Sequence, residues 1–247
     1  MVVKREFIMR MPVSIEIIDN SARLQDIAKV FSYFREIDER FSTYKKTSEV
    51  EKINSGKLKK SAYSNEMKTI IALADKTTRE TRGYFTTMID GRFDPSGIVK
   101  GYAIHEGAKI LKQAGYEDFS VEIGGDIEVS GLNSQGKKWR AGIRNPFQTD
   151  EIVKVLHVTD RGVATSGTYL RGSHIYDPVR KRTATEIASI TVIGPNICEA
   201  DRFATAVFAM GEKGIEFIES LQGFDAYMIT KNKRAIFTSG FDAYLTE

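Results

Sequence analysis

The 247-residue chain has a single cysteine, Cys198, so it can form no disulfide within itself. That composition suits a reducing compartment. Histidine is nearly as scarce: three scattered residues and one cysteine cannot supply the repeated ligand set of a zinc site. Charge of one sign is also lacking. The 36 Lys and Arg barely exceed the 33 Asp and Glu, a net of +3 that argues against a polyanion-coating surface. No basic-aromatic stripe suggests a nucleic-acid partner, and the short run Lys57 to Lys60 reads as a solvated face. No window approaches the ~18 consecutive apolar residues of a membrane span. The start, MVVKREFIMRMPVSIEII, has no apolar h-region and no small-residue cleavage site. A cytoplasmic address without membrane insertion is the expectation. The Walker A, G-x-G-x-x-G and G-x-S-x-G patterns are absent too.

What is present is ordinary globular material, 41% hydrophobic and 28% charged. The length allows one large domain or two small ones. No composition shift marks a linker, so a single domain over residues 1–247 is expected. Glu6 to Ile18 reads as a strand or bent hairpin, and Asn20 or Ser21 as the cap of a helix carrying the stripe Leu24, Ile27, Ala28, Phe31, Phe34 and Ile37. Ser48 and Glu51 form a capping box for a short helix ending near Gly56. Helices are expected from about Ser64 to Arg82, Val99 to Ala114, Glu199 to Met210 and Lys213 to Leu221. Short β-type runs cover Phe119–Ile123, Ile127–Val129, Trp139–Ile143, Val153–Val158, Ala188–Ile193, Ala226–Ile229, Ala235–Phe237 and Ala243–Leu245. Helices cluster early and strands late. That order predicts an α+β fold, a mixed or antiparallel sheet core flanked by helices, and not a βαβ alternation.

Four polar segments could carry chemistry. Asp94-Pro95-Ser96-Gly97 leads into a helix bearing Lys100, which makes either a phosphate cradle or an ordinary helix start. Gly124-Gly125-Asp126 lies between apolar runs, as a hairpin turn or a close backbone approach. Ala164-Thr165-Ser166-Gly167 is followed by His174 and Asp177; an imidazole there could take a proton from a hydroxyl or simply serve a structural hydrogen bond. Asp177 could orient that ring, although Pro178 beside it equally suggests a turn. Asp201 and Thr205, spaced i,i+4, share a helical face. Their oxygens suit Mg²⁺, or Asp201 merely complements the helix dipole.

In this order the segments DPSGIVKGY, GGDI, ATSG with HIYDP, and ADRFAT resemble the FAD:protein FMN transferase (ApbE-like) family. Met9-Arg10-Met11 is similar to that family's M-G-T start, with Arg10 for glycine, and Phe41-Ser42-Thr43-Tyr44 with Ser48, Glu49, Val50 and Asn54 to its F-S-x-Y…S-E…N stretch. The segment between Gly83 and Asp94 is shorter than the family's, Ala204 stands where some members carry another acid, and no lipobox cysteine is present. The resemblance implies an ApbE-like fold. It also implies an enzyme that cleaves FAD and attaches FMN through a phosphoester to a Thr or Ser of a target flavoprotein, releasing AMP. Alternatives are an FAD pyrophosphatase and a non-catalytic FAD-binding protein. The implied metal ligands are Gly97, Asp201 and Thr205, for Mg²⁺ or Mn²⁺ in its place. Implied FAD contacts are Met9, Tyr44, Tyr84, Phe85, Asp94, Lys100, Gly124, Gly125, Ser166, Gly167 and His174, the last also the candidate base.

Overall fold

The computed structural model describes residues 1–168 and 175–246. A hairpin of β1 (Val2–Ile8) and β2 (Met11–Ile17) opens the chain, followed by α1 (Leu24–Phe41), α2 (Glu49–Asn54) and α3 (Asn65–Glu80). A small hairpin, β3 (Met88–Ile89) and β4 (Arg92–Phe93), leads into α4 (Ser96–Gln113). Then come β5 (Phe119–Ile123), β6 (Asp126–Ser130), β7 (Trp139–Asn145), β8 (Gln148–Val158) and β9 (Arg161–Gly167). The chain continues through β10 (Tyr176–Asp177), β11 (Arg182–Thr183), β12 (Ile187–Gly194), α5 (Ile197–Met210), α6 (Gly214–Glu219), β13 (Asp225–Thr230) and β14 (Ala235–Phe237).

Eight strands form one sheet in the order β1-β2-β5-β6-β9-β12-β13-β14. Every neighbouring pair in it is antiparallel, so of the two expected sheet types the antiparallel one is realised. The α+β expectation holds. Period-2 alternation divides the strand residues between two cores. Val13, Ile15, Val121, Ile123, Ala164, Ile190 and Met228 face the helices. Val129, Val163, Ile193, Tyr227 and Ile229 face the β7–β8 hairpin, with Trp139, Leu156 and Phe241. α5 is buried on nearly all sides, which explains why its sequence is apolar almost all round. Among the described residues no helix is long and apolar enough to cross a membrane.

Local signals account for most boundaries. Ser48 Oγ accepts from Glu51 N at 3.0 Å, and Ser64 Oγ caps α3 by accepting from Met67 N at 3.1 Å. The short Gly83–Asp94 segment closes as a tight hairpin whose Asp90 and Gly91 both have positive φ, the geometry of a two-residue I′ turn. Met9 and Arg10 make the same kind of turn between β1 and β2, with φ of 55° and 61°. Two expectations need correction. The helix α1 is capped at neither Asn20 nor Ser21; it begins at Leu24, because Arg23 stays extended and donates its N–H to Tyr116 Oη at 3.0 Å. Ala243–Leu245 is not a strand: Phe241–Tyr244 forms a 3-10 turn, anchored by Phe241 against the rings of Tyr227 and Phe237. Ala164–Gly167, a segment without a strand expectation, ends β9, its hydroxyls and small residues packed between β6 and β12.

The start of α1 is locked by one carboxylate. Asp26 is buried and accepts from Lys29 Nζ at 2.8 Å, Tyr116 Oη at 2.9 Å and Arg23 Nε at 2.7 Å. The Lys29 ammonium, then the Tyr116 hydroxyl and Arg23, hold its carboxyl down from 3.8 to about 2. A depressed folded-state pKa contributes stability above the unfolded value and loses it as pH falls through the folded one. Asp26→Asn should therefore melt below the wild type at pH 7. The gap should narrow as pH is lowered from about 5 to about 2. Thermal melts across that range check this; a gap independent of pH contradicts it.

Candidate active site

The site grows out of a close helix crossing. An added Cβ at Gly101 on α4 would lie 2.6 Å from Asp201 Cβ and 2.8 Å from the Ile197 carbonyl oxygen on α5. Only a hydrogen at this position lets the two helices approach so far. The approach carries Asp201 Oδ2 to 2.7 Å from Gly101 N, which donates to it. In a regular α-helix that N–H points at the carbonyl four residues back, here Gly97. Asp201 thus competes for the donor that Gly97 O would otherwise hold. Thr205, one turn along α5, donates its hydroxyl to Gly97 O at 3.4 Å. Asp201 and Thr205, paired by their i,i+4 spacing, converge with Gly97, the ligand that the family resemblance adds.

Lys100 lies beside them, between two buried carboxylates: 2.5 Å from Asp126 Oδ2 and 3.6 Å from Asp201 Oδ1. Asp126 Oδ1 accepts from Thr165 N at 3.0 Å, which ties the end of β6 to β9. Asp126 Oδ2 meets Lys100 as an ion pair without a well-aligned hydrogen bond. Among the described residues, two carboxylates share one ammonium here, an excess of one negative charge when both are ionised. Burial pushes the Asp201 carboxyl up from its ordinary value; Lys100 pulls it down, and the like charge of Asp126 pushes it up again. A bound cation would relieve that excess.

The donors around this point are all oxygen: two carboxylates, the Thr205 hydroxyl and the Gly97 carbonyl. Such a set suits a hard divalent ion that takes one or two protein carboxylates and completes its shell with phosphate and water. Among the described residues no three His, Cys, Asp or Glu side chains cluster as a metal cage.

The other expected residues fall into distinct places. Asp94 Oδ1 accepts from Ser96 N at 2.9 Å and shapes the turn into α4. Gly124 turns with φ 61°, and a Cβ there would strike Met11 Sδ at 2.7 Å; exposed Gly125 follows and delivers Asp126 to β6. Ser166 is buried and Gly167 half-buried on β9. Tyr44 is exposed and receives the Arg10 guanidinium 4.7 Å from its ring centre, while Met9 and Tyr84 are half-buried. Phe85 is different: it is buried, and its ring lies against Gly97, where an added Cβ would meet it at 3.2 Å. It supports the loop from below and does not face an open site. His174 lies outside the described residues. Asp177 Oδ1 accepts from Val179 N and Arg180 N, and Oδ2 from Arg180 Nη1, so its carboxylate builds the β10–β11 turn.

Asp126 is the residue that spacing did not mark as functional. After two glycines it looks like a turn residue, and only the pairing of β5, β6 and β9 turns it toward the helices. Glu128, two residues on and so on the same face, accepts from Ile197 N at 3.2 Å and meets His105 Nδ1 at 2.9 Å. A cavity of about 590 Å³ lies elsewhere, between α1 and α2, lined by residues including Arg35, Arg40, Glu49 and Lys52; it shares no residue with the carboxylate cluster.

The sequence pattern of the ApbE family matches residues 9–91 and 88–228 of this chain. An FAD:protein FMN transferase of Klebsiella pneumoniae is 32% identical over 148 residues, covering 56% of this chain and 42% of that protein. The protein of the same name from Vibrio cholerae is 36% identical over 140 residues, covering 52% and 42%. These matches thus span less than half of each curated relative's length. The solved flavin transferase ApbE from Vibrio cholerae superposes with a TM-score of 0.86 at 25% identity over 99% of both chains. The ApbE protein of Thermotoga maritima has the same fold, with a TM-score of 0.88 at 21% identity over 100% of this chain and 99% of that one.

The helix crossing has a direct test. Gly101→Ala places a methyl against backbone and Cβ atoms that no side-chain rotation can move away. It should destabilise the fold by about 1–3 kcal/mol, the range for overpacking a tight core. Urea unfolding measures this, and a variant as stable as the wild type would show that the helices can part without cost.

Proposed function

This chain belongs to the ApbE family, and on that premise we propose that it is a flavin transferase acting on FAD. The acceptor is a Thr or Ser hydroxyl of a target flavoprotein. Its oxygen attacks the phosphorus of the FMN half, the bond from that phosphorus to the bridging oxygen breaks, and AMP leaves with the bridging oxygen. The hydroxyl proton passes to a base. The observation that carries this reading is the cluster of Asp126, Lys100 and Asp201 beside Thr205 and Gly97, a buried oxygen-rich point where, among the described residues, two carboxylates share one ammonium. The names of the similar proteins support it.

Gly97, Asp201 and Thr205 are the proposed holders of Mg²⁺, or Mn²⁺ in its place, with Asp126 as the neighbouring carboxylate. When bound, the ion supplies charge neutralisation for the diphosphate and the departing AMP oxygen. Lys100 acts as the fixed countercharge that lets two carboxylates share a buried site. The loop Asp94–Gly97, the Gly124–Gly125 turn, Ser166 and Gly167 bring backbone groups close to FAD. Met9, Tyr44 and Tyr84 offer faces to its rings. Phe85 holds the Gly97 loop from beneath. His174 remains the candidate base, on its sequence position alone. The whole chain serves as one ApbE-like unit.

Incubation with FAD, Mg²⁺ and a candidate flavoprotein, read by intact mass, decides between transfer and its rivals. An FMN adduct supports the transferase; free FMN and AMP without an adduct mean a pyrophosphatase; FAD bound unchanged means a binding protein. Asp201→Ala should slow adduct formation by about 10²-fold or more, the loss that accompanies removal of one charge-stabilising contact. Thr205→Val should raise the Mg²⁺ needed for half-maximal rate. Wild-type rates for both variants at limiting Mg²⁺ would remove this metal assignment.

A further inference from the structure

Asn54 ends α2 and lies far from the carboxylates in sequence, yet its side chain holds the strand that leads to them. Its Nδ2 donates to Phe93 O at 3.0 Å, and its Oδ1 accepts from Phe93 N at 2.8 Å. One amide that both donates to and accepts from a single residue's backbone imitates the pairing of a neighbouring strand. Phe93 is the last residue of β4, and its ring is buried. From there the chain has no slack. Asp94 N donates to Thr87 O at 2.7 Å, Asp94 Oδ1 takes Ser96 N, and Gly97 O meets the Thr205 hydroxyl. The loop is therefore gripped at both ends, by Asn54 on α2 and by Thr205 on α5.

The grip is rigid because α2 is itself fixed. Ser48 caps its first turn, and Glu49 Oε1 accepts from Ser64 N at 2.8 Å at the start of α3. A second link between α2 and β4, the 2.6 Å pair of Glu51 and Arg92, lies on the exposed rim and does not touch Phe93. That pair provides an internal control.

We propose that Asn54 is a positioning residue for the cation site: by fixing Phe93 it sets where the Gly97 carbonyl stands against Thr205 and Asp201, and so sets divalent-ion affinity without touching substrate. The inference rests on the reading of Gly97, Asp201 and Thr205 as metal ligands. Outer-shell partners of this kind typically change metal affinity by about 10–100-fold when removed.

Titration of the purified protein with Mn²⁺, following free Mn²⁺ by electron paramagnetic resonance, tests this without turnover. Asn54→Ala should weaken Mn²⁺ binding by about tenfold or more. Glu51→Gln should leave it unchanged. In turnover assays, saturating Mn²⁺ should return the Asn54→Ala kcat to within about twofold of wild type, a split that general loosening would not produce. Should Asn54→Ala not fold, Asn54→Asp, which keeps the acceptor for Phe93 N but loses the donor to Phe93 O, is read by the same criterion. A folded Asn54 variant with wild-type Mn²⁺ affinity overturns the inference, as does an equal loss in Glu51→Gln. A wild-type affinity indifferent to Asp201→Ala removes the underlying site, and this inference with it, so the two failures are distinguishable.

Discussion

The contact of α4 with α5 at Gly101 is the constraint on which the rest of the site depends. Two helices meet there closely enough for a side-chain oxygen of one to reach a backbone N–H of the other at 2.7 Å. The same crossing fixes the height of Lys100 above the sheet and brings Thr205 to the first turn of α4. A wider crossing, with a Cβ between the helices, would keep the fold class but spread these groups apart. Small residues in α4 are thus functional by way of packing: Gly101 opens the way to α5, while Gly107 does the same toward Phe34 on α1.

The sheet contributes a second unusual feature. Most strands turn apolar residues toward the helices, whereas β6 turns Asp126 and Glu128. Burial of a carboxylate is costly unless donors or cations meet it. Glu128 is well met, by His105 and by the N–H of Ile197 at the first turn of α5, where the helix dipole favours negative charge. Among the described residues, Asp126 shares the Lys100 ammonium with Asp201. The two acids lie two residues apart on one strand, yet one is a structural anchor for α5 and the other sits where charge is unbalanced. That contrast supports the proposed placement of a divalent ion beside Asp126 and Asp201.

Much of the architecture was legible because its signals are local. Ser48 and Ser64 announce their helices through bonds to N–H groups three residues away, and the apolar β runs from Phe119 onward match strands. The i,i+4 spacing of Asp201 and Thr205 likewise placed both on the face that meets α4. What escaped depends on distant partners. The start of α1 is decided by Tyr116, some ninety residues away, and not by a polar residue beside it. Strand β9 is rich in small and hydroxyl residues, so only its pairing with β6 and β12 makes it a strand. Phe85, an FAD contact only by family resemblance, is buried with its ring against Gly97. Asp126 and Asn54 each act on residues about forty positions away, beyond the reach of any periodicity.

On the proposed reading, α4, α5 and β6 together make one hard-cation site that receives the FAD diphosphate. A crystal structure of the protein with FAD and Mn²⁺, with manganese located by anomalous scattering, tests it most directly. The anomalous peak should lie in contact with Asp201, Thr205 and the Gly97 carbonyl, with the diphosphate completing its shell. Manganese bound away from these residues, for instance in the cavity between α1 and α2, with the FAD phosphates elsewhere, would contradict it.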